Sequence, residues 1–594
     1  MLSYAPWLSW LIPLLGSLLT PLFAKIGRKT LHWTSFLLVL TASLFTFSML
    51  PDVYSGYSID VSVKWIPYLN LSAGVLIDSL SVFMACIVSA IGTLILLYSI
   101  GYMAEEEDLT RYYFFMLLFI GAMIGLVMSD NLIQLYIFWE LVGLCSYALI
   151  GFWYKRPEAV KAGMKAFIVT RFGDLCLLAG ILLLYLNTGE FNFLALKDQT
   201  VAGLITTSLA TNAALLLFGG AVGKSAQVPL FVWLPDAMEG PTTVSALIHA
   251  ATMVKAGVYL TARTITILPV TSTYLFTVAA IGAVTAFMAA TMALATFDIK
   301  RVLAYSTMSQ LGYMFMALGT GTREGWFASQ FHLLSHAIFK ALLFLAAGVV
   351  IHMLGTRDMR LMGGLAKRIP AAFAAFLIGA FSLSAIPPFN GFWSKEIILE
   401  EFISLGGMAG RLLFFAGVVT AAITFAYAIR MLGLVFLGEE TDYVKQKIIH
   451  KPLSVMTIPL LLLAAACIAS GFLQPFLIKL FNLEVSGTFE INYASLGFSL
   501  LALLVGGIPA YTIYIKHAIS PEKITKTPIL GGIYKIIANG YYFDSFYNFL
   551  FVKGAAKVSV AVRKLQTGIL NVNMLAFIVG IILLLFFGFQ GGIM

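Results

Sequence analysis

The sequence predicts an all-α integral membrane protein of about sixteen transmembrane helices, with broken seventh and twelfth helices and two inverted five-helix repeats. Three observations carry the membrane assignment. Of 594 residues, 60% are hydrophobic and 11% charged, with a mean hydropathy of +0.94, whereas water-facing domains carry roughly 25% charged residues. Apolar runs of the roughly 20 residues needed to cross a bilayer recur from end to end. The basic residues alternate: loops and span edges following odd-numbered spans hold 25 of the 37 Lys and Arg, those following even-numbered spans hold 6. Lys and Arg concentrate in cytoplasmic loops, so both termini are expected on the outer side. The net charge of +9 then reports orientation rather than nucleic-acid binding.

The first two runs, about 6–24 and 30–50, flank Lys25, Arg28 and Lys29. These follow the first run rather than precede it, and no small-residue cleavage site is evident, so the run is expected to be retained as a span. The polar connections 52–78, 437–452 and 516–572 are too short for a soluble domain, which leaves one membrane chain. Runs three to six are 79–101, 111–128, 131–153 and 163–187; Glu105, Glu106, Glu107 and Asp108 between the third and fourth read as a solvated loop. The fifth carries Glu140, and the sixth carries Arg171 and Asp174, three apart on one face and able to neutralise each other.

The seventh run, 203–224, ends at Lys224 after Gly219, Gly220 and Gly223 and before Pro229 and Pro235. Interrupted spans expose backbone groups at membrane depth, tolerable only beside a cavity. GGAVGKS at 219–225 is no Walker A loop, because Phe218 stands where the first glycine is required and no strand precedes it. Asp236 and Glu239 read as cap residues ahead of the eighth run, 241–262, in which Pro241 suits the first turn. That run holds His249 and Lys255. The ninth and tenth runs are 273–295 and 301–319.

The eleventh run, 325–354, contains FHLLSHAIFKALLFL, which sets His332, His336 and Lys340 four residues apart along one face. A zinc site of the HExxH type needs a glutamate where Leu333 stands. A hydrated His-His-Lys stripe instead suits proton transfer, since imidazole titrates near neutrality; histidines hydrogen-bonded between packed helices are the plainer alternative. The twelfth run, 371–399, is interrupted at Pro387, Pro388 and Gly391 and then places Lys395 and Glu396 on different faces. Runs 412–437 (with Arg430), 453–473, 493–515 and 573–590 complete the set. Before the last, Tyr542–Thr567 mixes Phe, Leu and Val with Lys553, Lys557, Arg563 and Lys564, the pattern of a helix lying in the interface; a plain connecting loop is the alternative.

Cys86, Cys145, Cys176 and Cys467 sit singly in apolar runs, so neither a disulfide framework nor a thiolate metal site is expected. A charge at the bilayer centre costs several kcal/mol, roughly, unless it faces a partner or a polar cavity. A dozen titratable groups spread over many spans therefore suit a relay handing protons along, rather than one pocket for an organic substrate. Lysine fits that use, because burial and neighbouring charge can switch it between charged and neutral.

The runs GKSAQVPLFVWLPDAMEGPTTVSALIHAATMVKAGVYL (223–260), DIKRVLAYSTMSQLGYMFMALG (298–319), FHLLSHAIFKALLFLAAG (331–348) and MGGL (362–365) resemble the antiporter-like subunit L, or chain 5, of proton-pumping respiratory complex I. The resemblance extends from about residue 60 to the C-terminus. It implies a fifth-helix glutamate at Glu140 paired with a broken-helix lysine at Lys224, an acidic modulator at Asp174 and a bridging residue at His249. It further implies an eleventh-helix relay at His332, His336 and Lys340 and an outward lysine at Lys395. It also implies neighbouring antiporter-like and other complex I membrane subunits as partners, with quinone, flavin and iron–sulfur clusters held by partner subunits and no cofactor in this chain. An energy-transducing inner membrane is the implied location. Two departures stand out: Lys255, where common bacterial members have a neutral residue and the sister antiporter-like subunits have lysine, and a lateral segment about 20 residues short in its middle. As helix, Tyr542–Thr567 would span roughly 39 Å. A cation/proton antiporter or membrane-bound hydrogenase subunit shares these features, and an assembly scaffold with vestigial channels is the non-transport alternative, opposed by the full set of buried charges. The expected organisation is 1–110 N-terminal helices, 111–262 and 273–437 the two half-channel repeats (spans four to eight and nine to thirteen), and 438–594 the C-terminal helices.

Overall fold

In lipid every backbone N–H and C=O must find a partner inside the protein, and a continuous helix does so within one segment. The computed structural model follows this rule; it describes residues 2, 4–448, 450, 452–483, 492–565 and 570–590. Two helices open the chain, α1 (Ala5–Ile26) and α2 (Arg28–Ser48), followed by an antiparallel hairpin of β1 (Ile59–Ile66) and β2 (Leu71–Ile77). Then come α3 (Ser79–Tyr102), α4 (Leu109–Met128), α5 (Leu132–Ile150), α6 (Pro157–Thr188) and α7 (Thr207–Lys224). The central part consists of α8 (Thr242–Ala250), α9 (Met253–Ile267), α10 (Ser272–Ala295), α11 (Ile299–Leu318) and α12 (Arg323–Leu354). After these run α13 (Pro370–Leu383), α14 (Asn390–Leu405), α15 (Gly407–Leu432), α16 (Ser454–Ala469) and α17 (Tyr493–Tyr514).

Among the described residues, twelve helices are long and apolar enough to cross a membrane. The runs 203–224 and 301–319 form single helices, α7 and α11, whose polar residues lower their hydropathy, and the twelfth run divides into α13 and α14. The eighth run, expected to be continuous, is also divided: Ala251 and Thr252 leave helical geometry between α8 and α9, and the Thr252 hydroxyl donates to the carbonyl of Leu247 at 2.8 Å. Neither glycine nor proline marks this break.

Polar caps fix the helix starts. Asp78 accepts from Ser81 N before α3, Asn131 from Gln134 N before α5, Asp298 from Lys300 N and Arg301 N before α11, and Thr322 from Gly325 N before α12. Asp236 and Glu239 do not cap α8, which has Pro241 at its start and no side-chain cap. Their carboxylates are taken instead by Lys165 (2.7 Å) and Arg301 (3.1 Å), and by Arg357 (2.9 Å), respectively. The longest buried helix is α12, which packs against α3, α8, α11, α13, α14 and α16, so the His-His-Lys face lies in the interior.

The hairpin was not expected from a sequence read as helices and connections. It docks on the α4–α5 turn: Gln134 bonds both backbone groups of Gly74, at 2.8 and 2.7 Å, and Asn131 Nδ2 donates to Ser72 O at 2.9 Å. Asp130 accepts from Ser72 Oγ at 3.1 Å and from Asn131 Nδ2 at 2.6 Å. This face of the bundle is the hairpin end; the face bearing Lys300, Arg301 and Arg357 is the basic end.

Contacts divide the chain into two units, Met1–Leu530 and Gly531–Met594. In the second, the lateral segment is helical rather than a loop, running from Phe543 through a π-turn at Asn548–Lys553 into α18 (Gly554–Leu565), where Val558, Val560 and Val562 are exposed. Residues 566 and 567, the end of that predicted segment, lie outside the described residues. α19 (Leu570–Gln590) follows.

Burial, reinforced by the Asp60 carboxylate, pushes the Asp130 carboxyl up to about 6. The folded hairpin therefore binds this proton more readily than the unfolded chain, whose carboxyl titrates near 4. The associated stability is fully present below about pH 4 and is lost as pH rises through about 6. Amides of β2 should accordingly show greater intrinsic-rate-corrected protection from hydrogen exchange at pH 5 than at pH 7.5, and Asp130→Asn should remove the difference. Equal protection at both pH values in the unaltered chain would refute this.

Candidate functional site: a buried row of lysines and histidines

The first cluster forms where α5, α6 and the end of α7 meet. Lys224 is the last residue of α7, where the backbone carbonyls favour a cation. Its Nζ lies 3.4 Å from Asp174 Oδ2, and both side chains are essentially inaccessible. Trp139 Nε1 donates to the other oxygen, Asp174 Oδ1, at 2.6 Å. A Cβ on Gly143 would stand 2.6 Å from Lys224 Nζ, so glycine there makes room for the ammonium. Glu140 does not take Lys224. It forms an ion pair with Arg171 at a half-buried position, with side chains 21% and 36% exposed.

Two sequence expectations are thereby corrected. Lys224 pairs with Asp174 rather than Glu140, and Arg171 neutralises Glu140 rather than its neighbour on the same helix. The reason is depth: Asp174 faces inward from α6, while Glu140 and Arg171 share the outer seam of α5 and α6 beside exposed Ile137, Leu144, Ile168 and Phe172.

The second cluster lies along α12. Lys255 Nζ on α9 is 2.6 Å from His336 Nδ1. His332 Nδ1 is 2.9 Å from Ser394 Oγ on α14, and its Nε2 is 3.2 Å from Gln310 Oε1 on α11. Lys340 donates to the Ser306 hydroxyl and, at 3.2 Å, to the carbonyl of Leu303, both on α11. All four cationic or imidazole side chains are fully buried. His249, on α8, is fully buried too; neither ring nitrogen has a hydrogen-bond partner, and the ring packs tilted against Phe344 with centres 4.8 Å apart. Gln310, Ser306 and Ser394 were not singled out from the sequence, and neither was Trp139. The signal available for the first two was the polar run STMSQ inside an apolar segment.

The third cluster is the second broken helix. Lys395 Nζ donates at 2.8 Å to the carbonyl of Leu383, the last residue of α13, so a backbone group released by the break satisfies the ammonium. Its Nζ also stands 5.1 Å from the Tyr313 ring centre. Asn390 ties the break together, bonding the Ser382 hydroxyl and, at 2.9 Å, Ser470 Oγ. A Cβ at Gly391 would fall 1.7 Å from Ser382 O, so no larger residue permits this approach. Glu396 takes a different partner, accepting from Ser499 Oγ at 2.8 Å on α17. The first break is handled alike: Trp233 Nε1 donates to Gly223 O at 3.1 Å.

At the basic end, Lys300 donates to the carbonyls of Met238 and Gly240, at 2.7 and 2.6 Å, while Arg357 holds Met238 O and Glu239. These residues fasten the segment leading into α8. Arg430 is structural as well, donating to Thr296 O at 2.6 Å and stacking on Phe297. Among the described residues no three His, Cys, Asp or Glu side chains come together as metal ligands.

A helical bundle with broken spans and a buried row of lysines and histidines defines an antiporter-like, multi-pass membrane subunit. Comparison with known proteins makes this specific. Residues 129–424 match the family described as NADH:quinone oxidoreductase/Mrp antiporter, TM, and residues 65–113 match NADH-Ubiquinone oxidoreductase (complex I), chain 5 N-terminus. The chain is 40% identical to NAD(P)H-quinone oxidoreductase chain 5 of Picosynechococcus sp., covering 93% of this chain and 90% of that one. It is 37% identical to NADH-quinone oxidoreductase subunit L of Rickettsia typhi, over 91% and 88% of the two chains. Among solved structures, a chain of the Mrp complex from Dietzia sp. superposes with a TM-score of 0.82 at 27% identity, over 99% of this chain and 63% of that chain. The chain belongs to the NADH:quinone oxidoreductase chain 5/subunit L family.

Removing one member of a buried ion pair strands the other, at a cost of about 3–5 kcal/mol. Asp174→Ala should therefore lower the thermal unfolding midpoint of the purified, detergent-solubilised assembly clearly more than Glu140→Gln, whose partner stays half exposed. Equal midpoints for the two variants would contradict the placement of Lys224 on Asp174.

Proposed function

We propose that this chain is the proton-translocating membrane subunit of a complex I-like quinone oxidoreductase, and that redox chemistry in other subunits drives protons along its buried Lys, Glu and His groups. The observation that carries the reading is the satisfaction of three buried ammonium groups by something weak: an imidazole for Lys255, a hydroxyl and a carbonyl for Lys340, and a freed carbonyl for Lys395. None of these three has a carboxylate partner within ion-pair distance among the described residues. A lysine held this way can exist charged or neutral according to the charge arriving beside it, whereas a tight carboxylate pair would fix it.

In this reading Asp174 and Lys224 form the first half-channel switch, with Glu140 and Arg171 biasing it from the seam. His249, Lys255, His336, His332 and Lys340 transfer protons between the halves, and Lys395 releases them through the break below Leu383. Residues 111–262 and 273–437 are the two inverted half-channel repeats, between N-terminal helices 1–110 and the C-terminal segment 438–594. The membrane is the energy-transducing one, with both termini on the outer side. Other complex I membrane subunits, especially the neighbouring antiporter-like ones, are the partners, and quinone, flavin and iron–sulfur clusters belong to partner subunits outside the antiporter-like chains. The relatives named as chain 5 and subunit L, at 37–40% identity over about nine-tenths of their length, favour this over a cation/proton antiporter. Lys255 and the Mrp likeness mark the relationship between the two.

Arginine keeps the charge of Lys395 but cannot give up its proton at working pH. Lys395→Arg is expected to assemble, to lose proton pumping, and to be read by the proton-to-electron ratio in membrane vesicles. A wild-type ratio would make Lys395 a structural charge and move the exit elsewhere.

A further inference from the structure

At the hairpin end, a cavity of about 570 Å³ is lined by Asp78, Phe193, Lys197, Arg263, Trp326 and Phe481, among others. It lies at the end of α9 that leads back to the buried row. Lys255, Tyr259 and Arg263 follow at steps of four on that helix and so share one face, about 6 Å apart along the axis. Lys255 bonds His336 in the row, and Arg263 reaches the cavity, so this face is one polar line between the two. An open line there would let protons run back past Lys395.

The contacts close it. Arg263 forks onto both oxygens of Asp78, with Nη2 to Oδ1 at 3.0 Å and Nη1 to Oδ2. Asp78 Oδ1 also accepts from Ser81 N at 2.8 Å, which fixes the carboxylate as the cap of α3. Arg263 Nη2 also donates to the Tyr259 hydroxyl at 3.2 Å, and that hydroxyl donates to Val127 O at 2.8 Å. The Tyr259 proton therefore points at a backbone carbonyl of α4, and an oxygen lone pair is occupied by the guanidinium. A guanidinium does not release its proton, and a carboxylate held by two of its N–H groups is a poor acceptor. Arg263, Tyr259 and Lys255 are all buried.

We infer that Arg263, Asp78 and Tyr259 form a plug that insulates the buried row from the hairpin-end cavity at Lys255. Arg263 is a positioning residue: it keeps Asp78 charged and Tyr259 turned away. Without it, Asp78 would be a free carboxylate on the cavity, able to take up a proton. The released Tyr259 hydroxyl, with bridging water, could then receive that proton and pass its own to a neutral Lys255.

The inference rests on the proton-transfer reading, but its test needs no electron transfer and can fail while that reading stands. The assembled complex carrying this chain is reconstituted into liposomes, a potassium diffusion potential is imposed with valinomycin, and internal pH is followed with a trapped dye and no electron donor. R263Q should raise the passive proton flux severalfold, and the double variant R263Q/D78N, which has no carboxylate to take up the proton, should return it close to the wild-type value. A wild-type flux in R263Q overturns the plug. So does a double variant as leaky as the single one, since that describes a loosened bundle and not a carboxylate port. If R263Q does not assemble, Y259F decides: an unchanged proton-to-electron ratio in the pumping complex supports a closed branch, and loss of pumping shows that the branch conducts and overturns the inference.

Discussion

The structure turns on one constraint: an ammonium carried into lipid must be satisfied without being locked. Lys395 is held by a carbonyl that exists as a free acceptor only because α13 stops at Leu383. Lys340 is held by a serine and by Leu303 O, and Lys255 by an imidazole. Breaks at α7, α8–α9 and α13–α14 are therefore the source of the ligands for the buried charges, or stand beside them. A side chain also bonds at each break: Trp233 to Gly223 O, Thr252 to Leu247 O, and Asn390 to the hydroxyls of Ser382 and Ser470. Unsatisfied backbone at this depth would cost several kcal/mol per group, roughly, so the freed Leu383 carbonyl needs the Lys395 ammonium as much as the ammonium needs it.

The placement of α12 follows from the same need. Its polar face meets α9, α11 and α14 at once, giving each of His332, His336 and Lys340 a partner on a different helix. A shift of α9 or of α14 would change the surroundings of His336 or of His332 alone, whereas α11 touches both His332 and Lys340. The carboxylates are kept apart from this row. Asp174 is committed to Lys224 and Trp139, Glu140 to Arg171, and Asp78 to Arg263. Ion pairs at the edges are thus kept separate from the central bases, which are held by a hydroxyl, an amide, an imidazole or a carbonyl.

The basic residues of the loops serve a second purpose beside orientation. Lys300 and Arg357 hold the carbonyls of Met238 and Gly240, and Lys165 and Arg301 converge on Asp236. The short α8 that carries His249 is thus anchored from below by cations, because its own start lacks a side-chain cap.

The sequence by itself determined the solvent, the helical spans and the charges of the buried row. Hydropathy and the spacing of His332, His336 and Lys340 are local properties, and lipid leaves a chain little choice but helix. The breaks beside Lys224 and Lys395 were legible because glycine and proline mark them; the break at Thr252 was not, since neither residue stands there. The hairpin on Gln134 and Asn131 was equally hidden. Partner choice belonged to the tertiary structure. Residues 140, 171, 174 and 224 admit more than one neutral pairing, and only the depth of each on its helix, set by how α5, α6 and α7 pack, assigns Asp174 to Lys224 and leaves Arg171 to Glu140. Helical periodicity fixes which residues share a face, whereas the face that meets it comes from a distant segment and is settled only when the helices are assembled.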